Sequence, residues 1–531
     1  MYKIFLVIIL FNFSVPLKAE DGYKRNPLID VINYTFRISL SDISDTIYGE
    51  ASASLNFMGK ISDMEFDLKS LRPDGKGMIV DSVVFSGERI KWTHSENTLR
   101  IFIGKELASG NSGILKVAYH GIPADGLIIS KNKFGNRSFF SDNWPDRAGN
   151  YLPCIDHPYD KATVEFIIIA PSHYEVVANG YLVEESHLAG EMKLTRWKED
   201  VPLATKVMAF GAAEFDFRLA GVAGNIPVWT YVYKENSKEG FNDYEVALKP
   251  VAFYSKLIGP YSYEKLANVQ SKTIFGGLEN AGCIFYSENS VTGKGRAEGL
   301  IAHETAHQWF GNSVTESDWH HIWLSEGFAT YLTSVYLEKN YGRERLADEM
   351  KSDRDQVIKF YLRSPRPVID TTITNLMRLL SVNSYQKGAW VLHMLRHELG
   401  DEVFWKGMRL FYEKFRNKNA LTTDFKKVME EVSLKDLSGF FHQWLYIAGQ
   451  PDLKITSTSS KKKGYTDILV EQKQEFLYSF PLELLINTQE GEYRESIRIN
   501  ERLTKLTVKS TKINQIVPDP DVNLLFSQPT K

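Results

Sequence analysis

Apolar positions along the chain follow two different spacings. From about residue 30 to residue 216 apolar and polar residues alternate in short runs broken by turn residues, as in Tyr34-Thr35-Phe36-Arg37-Ile38-Ser39-Leu40 and Ala51-Ser52-Ala53-Ser54-Leu55-Asn56-Phe57. A period of two places alternate side chains on one face, so these runs, and residues 161–169, predict a mostly antiparallel sheet with a buried face. After about residue 240 the spacing becomes helical. Leu300, Ile301, Ala306, Trp309 and Phe310 mark one helix, with Gly311-Asn312 as its stop. Trp323, Leu324, Phe328, Tyr331, Leu332 and Val335 give the next helix its apolar face. Helical periods recur over 385–399 and over 425–432, the second behind a Thr423-Asp424 cap. Gly449-Gln450-Pro451 ends that pattern, and strands return at Ile468-Leu469-Val470 and over 482–486, enough for a sandwich of about 80 residues.

These textures predict a multidomain α+β chain: a leader over 1–19, an antiparallel β domain over 20–217, a mainly helical unit over 218–449 and a small β-sandwich over 450–531. Length agrees, because 531 residues with 43% apolar content exceed what a single core holds. The leader reading rests on a positive start at Lys3, a nearly continuous apolar run from Ile4 to Val15, and small Ala19 before Glu20-Asp21. That run falls short of the about 20 residues that cross a bilayer, so cleavage and export are expected, to a periplasm or outside the cell, and a retained anchor is the alternative. No later segment is long and apolar enough to span, so no stable membrane insertion is expected after cleavage.

A formal net charge of -3 argues against a nucleic-acid partner, which demands clustered excess Lys and Arg. The compact basic run Lys461-Lys462-Lys463 precedes Gly464 between strand-like segments and reads as a solvated hairpin turn. Two cysteines make no disulfide framework. Cys154 and Cys283 read as unpaired apolar residues, with a bond between them as the alternative.

The candidate chemistry sits on the two apolar helices. His303-Glu304-Thr305-Ala306-His307 puts two imidazoles four residues apart on one helix face, with Glu304 about 100° round from His303. Eighteen residues separate His307 from Glu326, which lies in Trp323-Leu324-Ser325-Glu326-Gly327-Phe328-Ala329. Catalytic zinc takes three protein ligands, so His303, His307 and Glu326 form a complete set and Glu304 stays free to handle protons. Polar residues on buried helices need such a reason. His320 and His321 are adjacent, so their side chains diverge, and they read as structural or surface groups. Upstream lies Phe275-Gly276-Gly277-Leu278-Glu279-Asn280. Paired glycines allow close backbone approach, as at an edge strand that receives an extended peptide, and beside a metal site Glu279 could hold a free α-ammonium.

His303-Glu304-x-x-His307, the gap to Glu326 and Gly276-Gly277-Leu278-Glu279-Asn280 together resemble the aminopeptidase N family of gluzincin zinc metallopeptidases, which includes the leukotriene hydrolase aminopeptidases. His307-Gln308-Trp309-Phe310-Gly311-Asn312 and Tyr385-Gln386-Lys387-Gly388-Ala389 are similar to family segments too. The resemblance implies an N-terminal β-saddle, a thermolysin-like catalytic domain and a β-sandwich, without the large C-terminal helical domain many members add. It implies one Zn2+ per chain, catalysis by Glu304 and Tyr385, and peptide substrates with a free N-terminus bound by Gly276, Gly277, Glu279 and Asn280. This chain departs from the family at Leu278, at Ser325, at His157, where an acidic residue is usual, and at Asp142 and Trp144, where a substrate-binding Gln and Glu often stand. Rival readings of the same motif are a thermolysin-like endopeptidase, a lipid epoxide hydrolase and a catalytically silent peptide-binding protein. The sequence leaves oligomeric state and the preferred first residue open.

Overall fold

A computed structural model describes residues 21–528, so the leader expected over 1–19 lies outside the described residues. The alternating runs form the expected sheet. Ile29–Ser39 buries Val31, Tyr34, Phe36 and Ile38 and pairs antiparallel with Ile47–Phe57. Its other neighbour, Ala162–Pro171, runs parallel to it. Alternation reports which face is buried and not strand direction, so the sequence leaves this one parallel pair unmarked within a mostly antiparallel sheet. That sheet has eight strands in all, and sheets of four and three strands accompany it.

The next sheet has five strands, in the spatial order Phe215–Ala223, Ile226–Tyr233, Leu266–Ser271, Cys283–Ser287 and Gly277–Leu278. Its first strand spans residue 217, where the β domain was expected to end. Leu266–Ser271 runs parallel to both neighbours and is buried throughout, as a central strand under a helical layer should be. The pair Gly277–Leu278 closes the sheet as a short edge strand.

Three helices carry the polar residues of interest: α1 (Glu298–His307), α2 (Trp323–Tyr341) and α3 (Gly388–Leu399). Apolar on most sides, α1 packs against α2, and Phe310 meets Phe328 with ring centroids 4.8 Å apart. Gly327 of α2 and Gly388 of α3 touch so closely that a Cβ on Gly327 would stand 2.8 Å from the Gly388 Cα. Only a residue without a side chain fits either position. The helical period over 385–399 is two pieces, a π turn at Asn383–Lys387 and then α3. The Thr423-Asp424 cap is displaced: the helix starts at Thr422, and the Asp424 carboxylate reaches back to accept from the Leu421 N–H at 2.9 Å. A carboxylate at the third helical position satisfies one of the free amides of the first turn as well as a cap residue would.

After Tyr446 the chain forms two three-stranded sheets, one from Leu453–Ser459, Thr466–Gln472 and Leu503–Val508, the other from Phe480–Thr488, Glu492–Ile499 and Ile513–Pro518. Lys461-Lys462-Lys463 is the exposed turn between the first two. Cys154 and Cys283 are buried free thiols.

Candidate active site

Helical spacing brings the His303 and His307 Nε2 atoms to 3.1 Å from each other. The first turn of α2 adds Glu326, whose Oε2 lies 3.6 Å from His303 Nε2 and 3.3 Å from His307 Nε2. The three ligand atoms all fall within 4.8 Å of one another. His307 Nδ1 faces the Phe310 carbonyl at 3.2 Å and the Ser325 hydroxyl at 3.1 Å. A carbonyl only accepts, so Nδ1 carries the proton and the Nε2 lone pair is left for the cluster. Gly311 makes this closeness possible. Its φ is 120°, and a Cβ there would stand 2.4 Å from Ser325 Oγ and 2.9 Å from His307 Nδ1.

Three buried carboxylates, Glu279, Glu304 and Glu326, surround the two imidazoles. Burial pushes the Glu304 carboxyl up to about 8, with the charges of Glu279 and Glu326 adding to it against the imidazole of His307. Burial alone would lower His307, yet the Glu326 carboxylate raises it to about 9. Burial would likewise raise Glu326, but His307 and His303 hold it well below the usual carboxylate range. The cluster thus carries more negative charge than its histidines neutralise when uncharged, and it recruits protons. A divalent cation would serve instead of those protons. Two imidazole nitrogens and a carboxylate oxygen are the donor set of catalytic zinc, so the residues fit the ion.

Glu304 owes its place to a glycine. A Cβ on Gly277 would stand 2.4 Å from Glu304 Oε1 and 2.5 Å from its Cδ. Gly277→Ala should therefore displace the carboxylate and lower kcat by about 10- to 100-fold, with little change in the melting temperature. Steady-state kinetics beside a thermal melt checks this; a variant with unchanged kcat would contradict the contact.

Glu279 is 5% exposed, and its Oε1 has no hydrogen-bond partner among the described residues. The backbone beneath it is fixed, because its carbonyl accepts from Gln308 Nε2 at 3.0 Å and from Asn312 Nδ2 at 2.6 Å. Asn280 is buried, with both side-chain polar atoms unpartnered among the described residues. Gly276 has open space around its Cα apart from Leu300, whose Cδ1 would lie 4.0 Å from an added Cβ. Tyr385 comes from the π turn and stacks near-parallel on His303, ring centroids 6.0 Å apart. Burial raises its phenol well above the ordinary value, and the Glu326 carboxylate adds to that. The turn is anchored by buried Lys387, whose Nζ donates to the Gly449 carbonyl at 2.8 Å. His303, Glu304, His307, Glu326, Glu279, Gly277 and Tyr385 all line one cavity; Gly276 and Asn280 flank it.

Phe275 and Leu380 were not read as site residues, and Trp144 was noted only as a departure from the family at a substrate-binding position. Trp144, Phe275 and Leu380 also line the cavity, from three segments distant in sequence. Asp142 is buried elsewhere: it pairs with Arg147 and accepts from Thr273 Oγ1 at 3.1 Å and from the Ile274 N–H at 3.2 Å. His157 is buried against Asp21, Nε2 to Oδ2 2.7 Å. His320 and His321 are buried rather than on the surface. Their ring nitrogens meet the Ile373 carbonyl at 3.0 Å and Thr422 Oγ1 at 2.7 Å.

A β-rich domain thus leads into a sheet-and-helix layer that gathers two histidines and a glutamate. The Peptidase family M1 domain matches residues 243–444, and the Peptidase M1 N-terminal domain matches residues 31–207. The chain belongs to peptidase family M1, the aminopeptidase N family. It is 26% identical to the probable aminopeptidase 2 of Sulfurisphaera tokodaii over 475 residues, 83% of this chain and 58% of that protein. It thus spans less than three fifths of that relative's length. The crystal structure of Legionella pneumophila aminopeptidase A in complex with aspartic acid shares the fold, with a TM-score of 0.83 and 17% identity over 97% of this chain and 61% of that one. The M1 zinc metallopeptidase of Deinococcus radiodurans shares it with a TM-score of 0.67 and 22% identity, over 80% of this chain and 94% of that one.

Proposed function

We propose that this chain is a zinc-dependent aminopeptidase that hydrolyses the N-terminal residue from peptides, with one ion held by His303, His307 and Glu326. The observation that carries the exopeptidase reading is the buried, unpartnered Oε1 of Glu279 beside the glycine edge strand and the metal cluster. A buried carboxylate oxygen without a donor is costly, and a substrate ammonium supplies the donor. The names of the relatives, aminopeptidases among them, agree with it.

When bound, zinc supplies Lewis acidity that polarises the scissile carbonyl and lowers the pKa of water toward about 7. The chain's own residues do the rest. Gly277 and Leu278 offer edge backbone to an extended peptide, and Glu279 pairs with its α-ammonium, so that the first peptide bond lies over the cluster. Glu304 takes the proton from the attacking water and gives it to the leaving nitrogen. The Tyr385 hydroxyl donates to the carbonyl oxygen as negative charge builds there.

The test of the anchor is Glu279→Ala. Selection for a free amine over an N-acetylated substrate should fall at least about tenfold, with KM rising more than kcat falls. Unchanged discrimination would remove Glu279 as the anchor and favour the endopeptidase reading.

A further inference from the structure

The backbone that carries Glu279 is gripped from two directions. From the end of α1, Gln308 and Asn312 donate to the Glu279 carbonyl, and Gln308 Oε1 accepts from the Gly282 N–H at 2.8 Å. From the N-terminal β domain comes the short turn Thr205–Val207, whose Val207 carbonyl accepts from the Ala281 N–H at 3.2 Å. Asn179 Nδ2 braces that contact, donating to the Val207 carbonyl at 3.0 Å and to the Ala281 carbonyl at 2.7 Å. An ion pair joins the two grips. Lys206, in the middle of the turn, pairs with Glu316 at the end of the strand Val314–Glu316, which follows Asn312 in the chain. Both residues are buried, and the Lys206 ammonium lies 5.3 Å from the Trp319 ring centroid. Lys161 Nζ ties down the same segment, donating to the Asn312 and Ser313 carbonyls at 3.0 and 2.8 Å.

A buried ion pair is weak evidence for stability, because desolvating both charges offsets most of their attraction, and an apolar pair of similar volume often holds a fold as well. What an apolar pair lacks is direction. The pair is kept here although Glu316 Oε2 has no hydrogen-bond partner among the described residues, which is itself a cost. We propose that Lys206 and Glu316 are positioning residues for the substrate anchor: by locking the turn Thr205–Val207 to residues 312–316, they fix where the Glu279 carboxylate stands over the metal cluster. Neither residue lines the cavity, so both act through Glu279. The inference rests on the aminopeptidase reading and deepens it, since an α-ammonium selects the first peptide bond only if its carboxylate partner stands at a set distance from the metal. A misplacement of about 1 Å costs up to about 100-fold, so a loosened joint should be measurable.

The experiment replaces both partners in the full chain, Lys206→Met together with Glu316→Met, which roughly keeps their volume and leaves neither partner's charge unpaired. The double variant should keep its zinc and melt within about 3 °C of wild type. Its discrimination between a peptide with a free amine and the N-acetylated form should fall at least about fivefold, with KM rising more than kcat falls. In a Glu279→Ala background the same double change should move the discrimination no further, because its target is gone. Hydrogen exchange read by mass spectrometry should quicken over residues 279–283, by about tenfold at the Ala281 N–H. Discrimination within about twofold of wild type, or a full further loss on top of Glu279→Ala, would overturn the positioning role. If Glu279→Ala alone leaves discrimination unchanged, the anchor reading falls, and exchange at Ala281 still decides the joint: faster exchange upholds it and an unchanged rate overturns it. Should the double variant fail to fold, Glu316→Gln keeps the side-chain shape without the charge and carries the same readouts, with a loss of at least about threefold expected.

Discussion

Glu304→Gln should lower kcat by about 100- to 10,000-fold while bound zinc stays at one per chain. The carboxylate projects from the same helix as the two imidazoles but is not part of the three-atom cluster, so its removal leaves that donor set whole. Glutamine matches its shape, fits over Gly277 and cannot take a proton. The loss therefore isolates proton transfer from metal binding and from folding. Kinetics with metal analysis on the same sample is the check, and residual turnover above about a tenth of wild type would remove Glu304 as the base.

Tyr385→Phe should lower kcat by about 100- to 1000-fold with a small change in KM, the signature of a donor used only as charge develops. The ring would keep its place, because the π turn at Asn383–Lys387 and the Lys387 bond to Gly449 hold its backbone and the ring stacks on His303. A variant altered in KM alone would assign the hydroxyl to ground-state binding.

What could be read from the sequence was what local geometry dictates. Residues four apart on a helix must share a face, so His303 and His307 could be paired before any fold was known, and the edge position of Gly277 followed from its glycines. The identity of the cavity wall was of another kind. Trp144, Phe275 and Leu380 meet only because three turns far apart in sequence converge on the cavity, and nothing in their spacing carries that information. The π turn before α3 was hidden because one extra residue in a turn leaves an apolar period almost unchanged. Asp142 shows the limit of placing residues by resemblance alone: it stands where a substrate-binding residue often lies, yet Arg147, Thr273 and Ile274 occupy it. The parallel pairing of Ile29–Ser39 with Ala162–Pro171 was equally silent, since burial alternates in the same way for either direction.

The metal cluster and Glu279 together make one claim: water is activated only over the first peptide bond of a chain with a free amine. A mass-spectrometric time course with an unblocked decapeptide and its N-acetyl form, each with and without a zinc chelator, tests it most directly. The account predicts stepwise loss of single residues from the free end, none from the acetylated peptide, and none in chelator. Internal fragments, or equal cleavage of the acetylated peptide, would contradict it.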